Sequence, residues 1–294
     1  AGTTAIGNNA FFRTTGNTSS STGGYPADYA QITGVVIPDG VTDIGTSAFQ
    51  NVPLTSVTLP STLLTIGNNA FNGTDLTSVT IPASVTTFGT QIFYKAESLA
   101  EVEFEEGSAL STIGAGTFEY TAITEIDLPD SVTKLGNNVF RYCASLETVK
   151  LPSGLTAIPN LTFRNCSALK SVTLPDNVTS FGTYVFAYSG LESFEIPASV
   201  QSIGNNCFSE ANSLVSVTAE EGSVLTTLGN NVFQKCLALQ SVELPASVSA
   251  IPNNTFNGCV SLLSFTVPQE AASIGNNAFD GCSALESVHI AGNV

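Results

Sequence analysis

One phenylalanine returns along almost the entire chain, at Phe49, Phe71, Phe93, Phe118, Phe140, Phe163, Phe186, Phe208, Phe233, Phe256 and Phe279, a mean spacing of 23 residues. Phe11, which closes "AIGNNAF", adds a twelfth. A fixed period of this length restricts the chain to architectures built from stacked identical units, because one unit cannot bury its own apolar side chains while neighbours in a stack can. The segment that closes on each Phe reads "IGNNAF" or a close variant, as at Ile66–Phe71 and Ile274–Phe279. Seventeen residues before the Phe lies a second signature, "LTSVTLP" at Leu54–Pro60 or "LKSVTLP" at Leu169–Pro175.

In "LTSVTLP" the residues alternate between an apolar and a polar face at the two-residue period of a strand. Proline has no N–H for a ladder and ends it. A short apolar pair follows, such as Val132 with Leu135, and Gly-Asn-Asn then turns the chain, since Gly and Asn tolerate positive φ. Each unit therefore makes one circuit, and stacked circuits place successive strands about 4.8 Å apart. The expected domain is a single solenoid over 1–294: an N-terminal half-repeat (1–11), a Ser/Thr/Gly-rich insertion (12–31), eleven full repeats (32–284) and a C-terminal half-repeat (285–294).

The spacing L-x-x-L-x-L at 22–25 residues is that of leucine-rich repeats. More narrowly, "LxSVxLPxxVTxIGNNAFxGCxxL" resembles the BspA-like leucine-rich repeat family of secreted or surface proteins, over residues 32–290. The resemblance implies a β-rich solenoid of about twelve stacked coils with short helical or 3-10 turns, used for adhesion or protein contact, with no catalytic residue and no cofactor. Departures from the pattern fall at Pro159 and Pro252, which replace the turn Gly, and at Glu105 and Glu220, which replace the strand-ending Pro in two coils of 25 residues.

With 8 Lys+Arg against 24 Asp+Glu the net charge is −16, which opposes binding to nucleic acid or anionic membranes. The absence of Met implies a processed N-terminus and, with the Ser/Thr-rich surface, an exported, extracellular or cell-surface protein. Cys143, Cys166, Cys236, Cys259 and Cys282 all lie three residues after a repeat Phe and form an inward ladder of reduced thiols, with a disulfide between rungs as the alternative. Cys207 stands off that ladder. Their spacing is not that of a metal motif. The lone histidine, His289, falls at an exposed position of the last strand and gives no basis for nucleophilic catalysis.

Position three of the strands is mostly Ser, so the exposed sheet face is rich in hydroxyls. Glu101, Glu103 and Glu105 interrupt it beside Glu125 and Asp127, with Lys150 on the next strand. These carboxylates read as a solvated acidic face for a basic protein or glycan partner; a Ca²⁺ site on Glu101, Glu103, Glu125 and Asp127 is the weaker alternative. N-glycosylation sequons occur at Asn17, Asn72, Asn160, Asn165, Asn177 and Asn253, those at Asn160 and Asn253 in the turn before the Phe. Both half-repeats expose unfinished apolar interior at Ile6 and Phe11 and at Leu285, Val288 and Ile290, which suggests head-to-tail self-assembly into a filament or, as the alternative, a domain of a longer repeat protein whose ends are capped from outside the chain.

Overall fold

The structure is a computed structural model and describes residues 2–13 and 31–290. It is a β-solenoid of about eleven turns that divides into two compact units, Ala1–Cys143 and Ala144–Val294. In the first unit every coil supplies two short strands. The longer belong to parallel pairs such as Gly34–Val36 with Ser56–Thr58 and Ser78–Ile81 with Glu101–Phe104. The shorter form a second parallel ladder, Ala5–Ile6, Asp43–Ile44, Thr65–Ile66 and Thr87–Phe88. The second unit repeats the plan with Ser193–Ile196, Ser216–Ala219 and Ser241–Val242 on one side and Ala157–Ile158, Ser180–Phe181, Ser202–Ile203 and Thr227–Leu228 on the other. Strand Ala5–Ile6 pairs directly with Asp43–Ile44, so residues 2–13 sit beneath the first complete coil.

The repeat Phe rings form a spine within each unit. In the first, Phe11, Phe49, Phe71, Phe93, Phe118 and Phe140 stack with centroids 5.1, 5.4, 5.7, 5.9 and 5.6 Å apart. In the second, Phe163 to Phe279 stack at 5.2 to 5.5 Å. The rings from Phe49 to Phe256 are fully buried. Offset stacks in this range add about 0.5–1.5 kcal/mol per pair beyond area burial, so the spine both fills the core and holds neighbouring coils in register.

The expected helical or 3-10 turns do not form at the Phe segments, which are plain turns; no α-helix occurs among the described residues, and 3-10 geometry appears there only at Gln31. The Phe segment begins as a turn, with Ala48 N donating to Gly45 O at 3.3 Å and Gln50 N to Ser47 O at 3.2 Å. Two left-handed residues per coil, here Ser47 (φ 54°) and Asn51 (φ 60°), reverse the winding before a helical turn can propagate. The backbone bonds instead to the next coil, as where Phe49 N donates to Ala70 O at 2.8 Å.

The Gly-Asn-Asn turn divides its roles differently from the expectation that Gly and Asn share positive φ. The second Asn takes the left-handed conformation (Asn69, φ 55°; Asn206, φ 58°). The first Asn is an acceptor for the next coil: Asn68 Oδ1 takes the Thr90 N–H at 2.8 Å, Asn205 that of Asn230 at 2.8 Å, and Asn253 that of Asn276 at 2.7 Å. The Gly is required by proximity, since a Cβ on Gly67 would stand 2.7 Å from Thr46 N. Hydroxyls two residues after the strand-ending Pro serve the preceding coil, Ser84 Oγ donating to Leu63 O at 2.6 Å and Ser199 Oγ to Val178 O at 2.7 Å.

Candidate functional site

The thiol ladder lies inside, as its spacing implies. Cys143, Cys166, Cys236 and Cys259 are buried, Cys282 is half-buried, and all six cysteines are free. Each of four thiols donates to the carbonyl of the Phe one coil back: Cys143 to Phe118 at 2.9 Å, Cys236 to Phe208 and Cys259 to Phe233 at 3.0 Å, and Cys282 to Phe256 at 3.1 Å. Burial pushes the Cys143 thiol up to about 11 and the Cys259 thiol up to about 12. Cys207, off the ladder, is also buried and raised by desolvation. Burial of this kind holds the thiol protonated and packs it as a small core group.

Glu101 and Glu103 are exposed on strand Glu101–Phe104, and Glu125 and Asp127 on the neighbouring strand Glu125–Asp127, while Val102 and Ile126 between them point inward. Glu103 Oε2 has Thr80 Oγ1 at 3.5 Å. None of the four carboxylates is in an ion pair among the described residues. No group of three or more His, Cys, Asp or Glu among those residues is placed to hold a metal ion. Glu105 is used differently, its Oε2 accepting the Ala83 N–H of the coil before at 3.0 Å, just as Glu220 accepts that of Ala198 at 2.7 Å. The two coils that lost their proline thus use the replacing carboxylate to pin the preceding turn.

The remaining candidates separate by exposure. Ile6, Phe11 and Leu285 are half-buried, whereas Val288 and Ile290 are 37% and 57% exposed. His289 is exposed on strand Ser287–Ile290. Of the sequons, Asn177 and Asn253 are exposed and Asn160 and Asn165 half-buried. Asn72 is buried with its Nδ2 donating to Asn69 Oδ1 at 3.0 Å, so that amide is committed. Asn17 and most of the 12–31 insertion lie outside the described residues.

A second surface feature was not anticipated. In the first unit the Phe turns carry Tyr94, Lys95, Glu119, Tyr120, Arg141 and Tyr142 side by side. Tyr120 and Tyr142 stack at 4.5 Å and Tyr94 meets Tyr120 edge-on at 5.7 Å. The Lys95 ammonium lies 5.6 Å from the Tyr94 ring and 5.8 Å from that of Tyr120, and the Arg141 guanidinium 4.7 Å from Tyr142. Beneath them Glu119, 5% exposed, accepts from Arg141 Nη1 at 3.3 Å. Burial, only partly offset by Arg141 and Lys95, raises the Glu119 carboxyl above its ordinary range. The second unit has its own version, with Arg164 5.0 and 5.5 Å from the Tyr184 and Tyr188 rings and the Tyr188 hydroxyl donating to Glu210 at 2.9 Å. The signal was present in the repeats themselves: the position two after the Phe is Asn or Gly in several coils but Tyr120, Tyr142 and Tyr188 in others.

Two parallel ladders per circuit, an aromatic spine and a recurrent turn asparagine define a leucine-rich-repeat protein. The chain matches the family model for the BspA type leucine rich repeat region over residues 27–147, 135–261 and 179–294, and it belongs to that family. Among solved structures it is similar to the pneumococcal vaccine antigen PcpA at 24% identity and TM-score 0.60, covering 90% of this chain and 64% of that one. The chain therefore spans less than two thirds of that antigen. A leucine-rich repeat protein from Bacteroides ovatus shares 26% identity over 88% of this chain and 78% of its own, with TM-score 0.55. A leucine rich cell surface protein from Faecalibacterium prausnitzii shares 23% identity over 95% and 97% of the two chains, with TM-score 0.52. No curated protein sequence matches the chain at a significant level. No helix among the described residues is long and apolar enough to cross a membrane.

Proposed function

We propose that the chain is a non-enzymatic interaction module displayed outside the cell, whose strand face in the first unit engages a basic partner, protein in the first instance and glycan as the alternative. The observation that carries this reading is the set of four exposed carboxylates, Glu101, Glu103, Glu125 and Asp127, on two neighbouring strands, none of them in an ion pair among the described residues. Like charges held this close on a rigid sheet repel one another, and a partner bearing Lys or Arg relieves that repulsion while excluding acidic competitors. Similarity to a vaccine antigen and to a cell surface protein supports the extracellular setting. The test is capture of a lysine- and arginine-rich peptide array by the purified chain in rising salt, with a variant carrying E101Q, E103Q, E125Q and D127N alongside. Steep loss of binding with salt and in the variant is expected; indifference to both overturns the reading.

A second reading, head-to-tail stacking of copies through Ile6, Phe11, Leu285, Val288 and Ile290, is favoured by the exposed apolar side chains on strand Ser287–Ile290. Electron microscopy at high protein concentration decides it, with fibres supporting stacking and monodisperse short particles opposing it.

A further inference from the structure

We propose that the tyrosine and cation strip on the Phe turns of the first unit is a second docking surface, for an acidic peptide segment of a partner protein. The strip is independent of the acidic strand face.

The argument starts from backbone preference. The position two residues after the repeat Phe is left-handed in every described coil from Asn51 on; Gly73, Gly258 and Gly281 or Asn51 and Asn165 fill it in five coils, and Lys95, Glu210 and Lys235 in three more. Tyr120 (φ 64°) and Tyr142 (φ 62°) hold the same conformation although a large side chain is disfavoured there. Strain of this kind persists where the side chain serves a purpose the backbone does not. All five described tyrosines, Tyr94, Tyr120, Tyr142, Tyr184 and Tyr188, lie in Phe turns, and the second unit repeats the pairing of Tyr with Arg.

Charge selects the partner. In a chain of net charge −16, Lys95 and Arg141 are brought together over aromatic rings. The Lys95 ammonium forms no ion pair among the described residues. Arg141 gives Nη1 to Glu119, and its Nε is buried without a hydrogen-bond partner. Two fixed cations on a floor of stacked tyrosine present donors for carboxylates and flat apolar area for the segment that carries them. Tyr and Arg are the residue types that dominate interface energetics.

A phage-displayed random dodecapeptide library is panned on the full chain, and selected clones are measured against wild type, Y120N/Y142N, K95Q and the E101Q/E103Q/E125Q/D127N variant. Enrichment of Asp- and Glu-bearing peptides is expected, with binding weakened about tenfold or more in Y120N/Y142N, as loss of a hot spot implies. K95Q weakens it less, and the strand-face variant leaves it unchanged. Because Asn suits a left-handed position, Y120N/Y142N is expected to melt near wild type. A fall in its Tm of more than about 5 °C assigns the tyrosines to coil stacking and overturns the proposal. Selection of basic peptides, of no variant-sensitive clone, or retention on heparin beads in place of any peptide overturns it equally.

Discussion

Asn68 Oδ1 accepts the backbone N–H of Thr90, 22 residues further along the chain, at 2.8 Å. The bond ties one coil to the next through a side chain that also sits where the turn begins, so Asn68→Ala removes an acceptor without altering the core. A loss of about 1 kcal/mol is expected, as for other single hydrogen bonds. Asn68→Asp, which keeps the acceptor, is expected to lose less. Urea unfolding of the three proteins in parallel measures the difference. Equal stability of the Ala variant and wild type would remove the ladder as a contributor.

The aromatic spine makes a larger demand. Phe118 is fully buried between Phe93 at 5.9 Å and Phe140 at 5.6 Å. Truncation to Ala empties a ring-sized volume and breaks both stacks, with an expected cost of about 3–5 kcal/mol. Because each coil touches only its neighbours, hydrogen exchange is expected to quicken first in residues 93–143. Uniform acceleration across the chain would contradict that locality.

The buried thiols set an alkaline limit. Desolvation raises the folded-state values of Cys143 to about 11 and Cys259 to about 12, against 9.0 for an ordinary thiol. An acid whose folded value lies above its unfolded one binds its proton more tightly when folded, so its stabilising effect is complete below pH 9 and is lost as pH climbs through the folded values. The urea midpoint is therefore expected to fall between pH 9 and pH 11, and Cys143→Ser to alter that slope. At pH 8 the five buried cysteines of the native protein are expected to resist a thiol reagent that reaches the half-buried Cys282 and labels all six once the chain is unfolded.

Glu119 gives the same sign at the acidic end. Its folded value is raised, chiefly by burial, so ionisation costs stability as pH rises past the ordinary 4.5. Glu119→Gln is expected to be at least as stable as wild type at pH 7, with the advantage shrinking below pH 4.5. A Gln variant clearly weaker at pH 7 would mean that the contact with Arg141 outweighs desolvation.

Much of this architecture is written in the repeat itself. The Phe column, the one-sided strands and the inward thiols follow from period and alternation, because burial in a stack depends on the same position in every coil. What escaped was decided by φ and by contacts between coils. Asn68 and Asn69 look equivalent in the sequence, yet one is an acceptor and the other a left-handed hinge. The expected helical turn fails at residues such as Ser47, whose positive φ no composition rule announces. The tyrosine strip was hidden because Tyr94 and Tyr120 lie 26 residues apart and meet only after the coils wind.

The reach of Asn68, Ser84 and Glu105 is short in both directions, forward for Asn68 and backward for Ser84 and Glu105. Acceptors at Asn68 and Glu105 and the donor at Ser84 each address the coil next door and nothing beyond it. A gene that loses or duplicates one whole period therefore rejoins compatible surfaces, whereas a slip of a few codons leaves a seam with mismatched partners. Length in such a molecule can change in quanta of one circuit without disturbing the bonds that join the circuits that remain.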